Sequence, residues 1–183
     1  MRQTKKITLS AACIALGIVF MALGYFVEVL DLTVSALISC IMAFVFIEIG
    51  DKYAVGVWLA TSLLGAVFFT ASLVWVTYFL VFGIYPILKA YIERLKRPLW
   101  TPIKIAVFIV SALLVLLVSE FILGIPFFSD DVSIPLFSGN TPIVKVLIFA
   151  ALIGAMYLYD VFMTAMIRFY FASFRRRIQS LLK

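Results

Sequence analysis

The stretch that decides the fold is YAVGVWLATSLLGAVFFTASLVWVTYFLVFGIYPIL, residues 53–88, which runs for 36 residues without one charged side chain. A single helix of that length would measure about 54 Å, nearly twice the roughly 30 Å hydrocarbon core of a bilayer. We therefore interpret it as two membrane-spanning helices with a turn near residues 70–72. Lys52 precedes the stretch and Arg94 belongs to the next hydrophilic segment, and two crossings place both cations on the same side of the membrane.

The composition of the whole chain indicates the same class of protein. Of the 183 residues, 66% are hydrophobic and 13% are charged, whereas soluble domains have about 45–50% apolar and about 25% charged residues. A soluble or disordered protein is thereby excluded. We predict an all-α integral membrane protein of the cell membrane, built as a single six-helix domain over residues 1–183. The predicted spans are about 7–29, 33–49, 53–70, 72–92, 103–125 and 143–167, followed by a basic amphipathic cytoplasmic tail at 168–183.

The positions of the charges predict the orientation in the membrane. Of the 15 Lys and Arg residues, 14 lie at the termini or in the loops near residues 52 and 94–104. Lys145 lies at the other end, which carries Asp31 and Asp130. By the positive-inside rule, both termini are predicted to be cytoplasmic. The net charge of +6 therefore reflects topology, and we expect membrane lipids as partners and no nucleic acid.

The sequence offers little for catalysis. Histidine does not occur in it, which excludes His-based metal sites and His-dependent catalytic triads. The two cysteines, Cys13 and Cys40, lie in apolar runs and are interpreted as small buried hydrophobic residues. We predict no enzyme activity, no cofactor and no metal site.

Asp160 is predicted to lie inside the membrane, because it follows Pro142 by about 27 Å along a helix axis. A carboxylate at that depth costs at least about 2.5 kcal/mol unless it finds a partner. Lys89, Lys52 and Glu48 have a comparable predicted depth, and we expect an intramembrane ion pair between Lys89 and Asp160. The pair is interpreted as structural rather than as a proton relay, because no continuous set of acids crosses the membrane.

Pro86 predicts a kink in the fourth span, because it removes one helical hydrogen bond and frees the carbonyl group of Phe82. Gly83 beside it would let another backbone or a ligand approach closely. Lys89 and Glu93 are four residues apart and can pair on one helical face. A kinked helix whose Lys89 extends to the interface, and a hinge that senses a partner, both remain open.

Aromatic and polar residues gather at the predicted outer ends of helices four to six. Aromatic rings with a few convergent polar groups are typical of small-molecule pockets, although ordinary interfacial residues give the same pattern. The candidate ligand contacts are Trp75, Tyr78, Phe79, Glu120, Asn140 and Lys145.

The first helix is rich in small residues, which allow close approach between helices in lipid. Ser10, Gly17 and Gly24 recur every seven positions, and Ala11 and Ala15 form a small-xxx-small pair. Such residues serve either internal packing or docking of a partner membrane subunit, and their spacing alone leaves both open.

The segment TKKITLSAACIALGIVFMALG at residues 4–24, with the six-helix layout, the chain length and the basic C-terminal tail, resembles the substrate-binding S-components of energy-coupling factor (ECF) vitamin transporters. The resemblance implies that Ala11 and Ala15 form the AxxxA motif that contacts a transmembrane coupling subunit, which ABC ATPases power. It also implies a vitamin-like ligand in the outer half of the protein. The motifs of riboflavin, thiamine or biotin members are not evident, so the substrate stays open.

The alternative is a protein of another class. A non-transporting scaffold of the cell-envelope machinery, such as the rod-shape-determining membrane protein, is similar in size and in number of spans. A scaffold would need lateral protein contacts and no ligand pocket.

Overall fold

The computed structural model describes residues 3–27, 30–70, 72–121, 124 and 142–175, and over these residues the secondary structure is helices and turns. The prediction of an all-α chain is confirmed for this part of the sequence. The helices are α1 (Gln3–Phe26), α2 (Asp31–Glu48), α3 (Asp51–Phe68), α4 (Leu73–Ile92), α5 (Trp100–Phe121, after a 3₁₀ turn at Arg97–Leu99) and α6 (Pro142–Phe169, continuing as a π-helical turn at Tyr170–Phe174).

Five of these helices, α1, α2, α4, α5 and α6, are long and apolar enough to cross a membrane. The chain is therefore consistent with a multi-pass membrane protein. The remaining helix, α3, has 18 residues and begins with the charged residues Asp51 and Lys52, which shortens its apolar part. It packs against α1, α2 and α4.

Successive helices run in alternating directions. Short connections between α1 and α5 require antiparallel neighbours. The direction of α6 follows from its contacts with α2, since the Tyr159 hydroxyl group contacts Ser39 and the Tyr170 hydroxyl group lies 2.9 Å from Glu48 Oε1. Helix α6 therefore runs parallel to α2, and the beginning of α1 and the end of α6 lie at the same end of the bundle.

We call this end, where α2 stops and α3 begins, the basic end. The Lys6 ammonium group lies 5.6 Å from the centre of the Tyr53 ring, which joins the beginning of α1 to the beginning of α3. Among the described residues, the cations of this end are Lys5, Lys6, Lys52, Lys89, Arg94, Lys96, Arg97, Lys104, Arg168 and Arg175.

Helix α2 forms the centre of the core. Its side chains Val34, Ile38, Met42 and Val45 are buried against the neighbouring helices. The outward faces of the other helices carry large apolar side chains such as Leu63, which is 67% exposed. A bundle with apolar residues both inside and outside is suited to a lipid environment.

Helix α4 contains a π-helical turn at Tyr78–Phe82, one turn before Pro86. The backbone N–H of Gly83 donates to the Tyr78 carbonyl group at 2.7 Å, where a regular α-helix would use the Phe79 carbonyl group. The Trp58 indole N–H donates to the Phe79 carbonyl group at 3.2 Å. The irregularity thus begins before the position that Pro86 predicts. A side chain of α3 supplies a hydrogen-bond donor to the Phe79 carbonyl group within it.

Candidate functional site

Four charged side chains from three helical regions meet near the basic end. Asp160 of α6 contacts the Lys89 ammonium group through Oδ1 and accepts from Lys104 Nζ of α5 through Oδ2 at 2.9 Å. Glu93, just after α4, contacts the same two cations through Oε1, at 3.1 Å from Lys89 and 3.0 Å from Lys104. Two carboxylates and two ammonium groups therefore form one cluster with a formal charge of zero.

Neutral polar groups complete the cluster. The Tyr85 hydroxyl group donates to Asp160 Oδ1 at 2.5 Å. Lys89 Nζ also donates to Thr164 Oγ1 at 2.8 Å, and the Thr164 hydroxyl group donates to the backbone carbonyl of Asp160 at 2.8 Å. Both Lys89 and Asp160 thus have several hydrogen-bond partners in addition to their opposite charge.

The cluster joins helices α4, α5 and α6 through side chains that are largely removed from solvent. The Lys89 side chain is 2% exposed and the Asp160 side chain 12% exposed, whereas Glu93 is 35% exposed. Buried ions need such complete pairing because their desolvation is costly. The arrangement fits a structural clamp between three helices. Among the described residues, no group of three or more Cys, Asp and Glu side chains could hold a metal ion.

An apolar cavity of about 370 Å³ lies next to this cluster, between α2, α4, α5 and α6. Its volume falls within the range of small-molecule sites. Phe82 and Tyr159 stand between the cavity and the charges, with their rings 4.8 Å apart in an edge-to-face arrangement. The lining residues are Leu32, Thr33, Ala36, Thr77, Val81, Phe82, Ala112, Val115, Leu152, Ala155, Met156, Leu158, Tyr159 and Phe162.

The three predicted ligand contacts of α4 point to different surroundings. Trp75 donates its indole N–H to the Thr70 carbonyl group at 3.1 Å. Tyr78 is fully buried in the core. Phe79 stacks on Trp58 with ring centres 5.3 Å apart. The contacts made by these three side chains are internal to the protein, and the 370 Å³ cavity is lined by other residues of α4.

Two of the other predicted ligand contacts, Glu120 and Lys145, lie on helix turns at the end of the bundle opposite the basic end. Glu120 is partly exposed in the last turn of α5. Lys145 is in the first turn of α6, with its side chain outside the described part of the structure, and Asn140 lies outside the described residues altogether.

The small residues of α1 divide into two faces. Ser10, Gly17 and Gly24 are buried. At Gly17 an added Cβ would lie 3.1 Å from Thr61 Cγ2, so this stripe lets α1 pack closely on the bundle. Ala11 and Ala15 are exposed on the other side of the helix. Internal packing therefore uses the seven-residue repeat and leaves the small-xxx-small pair at the surface.

Three members of the charged cluster could not be named from charge position alone. The sequence pattern assigns Lys104 to a loop, because it belongs to the basic segment from which the orientation in the membrane is predicted. Tyr85 and Thr164 are uncharged. Helical spacing carries a signal, since Tyr85 precedes Lys89 by four residues and Thr164 follows Asp160 by four, which places each on the face of its charged neighbour.

Comparisons of the chain with protein-family models, with curated proteins and with solved structures find no match.

Proposed function

We propose that this chain is the substrate-capture subunit of an ECF-type importer in the cell membrane. It would bind a vitamin-like micronutrient from outside and dock on a transmembrane coupling subunit that is driven by ABC ATPases. The observation that carries the proposal is the exposure of Ala11 and Ala15 on α1, a helix whose buried Ser10, Gly17 and Gly24 serve internal packing on a different face.

The proposed topology has six crossings and both termini in the cytoplasm. Five helices meet the length and apolarity that a crossing needs, and α3 runs beside them in the alternating order of the bundle. The described cations, apart from Lys145, gather at the basic end, which the positive-inside rule assigns to the cytoplasm.

The docking surface is the exposed face of α1 around Ala11 and Ala15. Small side chains on a lipid-facing helix allow another helix to approach closely, which gains van der Waals contact in the absence of a hydrophobic driving force. A bulky side chain at either position would separate the two helices without entering the core, because both alanines point away from it.

The cavity of about 370 Å³ supports capture over a purely structural role. A scaffold needs lateral contacts alone, whereas a capture subunit needs a concave site of this size. The charged cluster of Lys89, Glu93, Lys104 and Asp160 would hold α4, α5 and α6 at fixed positions around that site.

The test is affinity purification of the tagged chain from its native membrane in a mild detergent, with mass spectrometry of the co-eluting proteins. We expect a coupling subunit together with ABC-type ATPases. The double variant Ala11→Trp/Ala15→Trp should lose them by about tenfold or more, since contacts at small-residue interfaces are made at close range. Ala151→Trp, at an exposed alanine of α6, is the matched control and should retain them.

Two results would contradict the proposal. Retention of the ATPases by the double variant would show that the α1 face is not the docking site. Co-elution of cell-wall synthesis or division proteins in place of ATPases would favour the scaffold, the alternative that the sequence leaves open.

A further inference from the structure

Most of the polar side chains that line the 370 Å³ cavity form hydrogen bonds within the protein. Thr77 Oγ1 donates to the Leu73 carbonyl group at 3.0 Å and lies 3.1 Å from Ser35 Oγ. The Tyr159 hydroxyl group contacts Ser39 Oγ. A ligand in this cavity would therefore meet methyl groups and rings, with Thr33 as the remaining polar side chain among the described residues of the lining.

An aromatic floor closes the cavity toward the charged cluster. The Tyr159 ring lies 4.8 Å from Phe82 and 5.4 Å from Tyr85, centre to centre. The hydroxyl group of Tyr85 points beyond the floor to Asp160. The charged side chains thus pair with one another on the far side of the rings. An ionic or strongly polar group placed in the cavity would lose its hydration and gain no charged partner in return.

The cavity is elongated along the bundle and opens toward its side. Its lining on α6 extends from Leu152 to Phe162, which corresponds to about 15 Å of helix rise. Leu32 and Leu158, which also line it, are 49% and 69% exposed. An apolar molecule dissolved in the surrounding lipid could enter between these side chains without crossing water.

We infer that the cavity binds the acyl chain of a small amphiphile, with its polar head toward Thr33 at the end opposite the basic end. This inference rests on the proposed function and gives the substrate class as a fatty-acid-like molecule rather than a strongly polar vitamin. Apolar cavities that exclude water readily take up apolar ligands. The α2 end of the cavity, at Leu32 and Thr33, is where a carboxylate or similar head could reach the interface.

The test uses the full chain alone, in lipid nanodiscs, with a diazirine-bearing analogue of dodecanoic acid as the probe. After irradiation, mass spectrometry should place the adducts on lining segments of α4, α5 and α6. Ala155→Phe fills the cavity from α6 and should reduce labelling by about tenfold, because it removes the volume that holds the chain. Ala151→Phe, one helical turn away on the same helix and not among the lining residues, should label like the wild type.

A second variant, Ala36→Phe, fills the cavity from α2. It provides an independent test if Ala155→Phe fails to fold. Each variant is compared only if its thermal unfolding midpoint equals that of the wild type. Unlabelled dodecanoic acid should compete with the probe. Labelling that is unchanged in both filled variants, or adducts spread evenly over the exposed faces, would overturn the inference.

Stoichiometric co-purification of a phospholipid that excludes the probe would also overturn it, since the site would then hold a lipid of the bilayer. The labelling experiment includes no coupling subunit. Absence of ABC-type ATPases from the purified wild-type chain, together with intact, variant-sensitive labelling, would therefore contradict the proposed function while leaving the ligand class in place.

Discussion

At the scale of single residues, Asp160 shows how a membrane helix holds a carboxylate. The side chain takes Lys89 and Lys104 as cationic partners and the Tyr85 hydroxyl group as a donor. Its cost in lipid is offset because each partner comes from a neighbouring helix and lies at the same depth. The geometry favours a fixed structural role over proton transfer, since both cations are bound to carboxylates on either side.

Replacing Asp160 by Asn should destabilise the protein, because Lys89 would keep its charge in a buried position and lose its closest carboxylate. Removal of one partner of a buried ion pair costs about 3–5 kcal/mol. We expect a correspondingly lower free energy of unfolding for Asp160→Asn, measured by thermal or denaturant unfolding in detergent. Asp51→Asn is the control, because Asp51 is an exposed acid whose carboxylate accepts from Tyr91 at 3.1 Å.

The double variant Lys89→Met/Asp160→Asn distinguishes a structural pair from a functional one. It removes both charges together and should lose much less stability than the two single changes added, because neither member of the pair is left as an uncompensated buried charge. If Asp160→Asn unfolds at the wild-type midpoint, the cluster does not hold the three helices together.

At the scale of helices, α4 is shaped by its contact with Trp58 of α3. The π-helical turn at Tyr78–Phe82 redirects one backbone hydrogen bond, and the indole N–H supplies a donor to the Phe79 carbonyl group. The absence of a side chain at Gly83 makes room for the indole, because an added Cβ would lie 2.5 Å from Trp58 Cδ1 and 2.8 Å from the Tyr78 carbonyl oxygen.

Gly83→Ala should therefore destabilise the protein by about 1–3 kcal/mol, the usual cost of overfilling a packed site. Gly154→Ala is the matched control on α6, where nothing lies within 4 Å of an added Cβ. In an exposed helix that change should be neutral or slightly stabilising. Equal unfolding midpoints for the two variants would show that the indole does not depend on Gly83.

At the scale of the whole molecule, the position of α3 decides how many times the chain crosses the membrane. Helix α3 packs against α1, α2 and α4 and carries two charged residues at its start. With α3 across the membrane, Lys52 and Arg94 share one side, as the positive-inside rule predicts. A peripheral α3 would separate the cations of the basic end.

Alkaline phosphatase fusions test this topology, because the enzyme is active only outside the cytoplasm. We expect activity for a fusion after Thr70 and none for fusions after Lys52 or after Glu93. A fluorescent protein at the C-terminus should fluoresce, since it folds in the cytoplasm. An inactive fusion at Thr70, with the C-terminal reporter still cytoplasmic, would exclude a crossing by α3.

Helix positions could be predicted from the sequence better than side-chain contacts. The turn predicted near residues 70–72 of the uncharged stretch lies between the end of α3 at Phe68 and the beginning of α4 at Leu73. The contacts of the aromatic side chains of α4 do not follow from the sequence. Trp75, Tyr78 and Phe79 follow each other closely in sequence, but successive helical positions face different directions, and their contacts are with Thr70, the core and Trp58.

The sequence by itself determined that this chain is helical and apolar enough for a membrane, because long apolar stretches must satisfy their backbone hydrogen bonds internally. Only the tertiary structure decided which face of each helix is buried. In a soluble helix a polar stripe marks the outside, but here lipid and core are both apolar, so periodicity carries little information. The assignment of Gly17 to the interior and Ala15 to the surface, the partners of Asp160 and the place of the cavity therefore depend on how the helices pack.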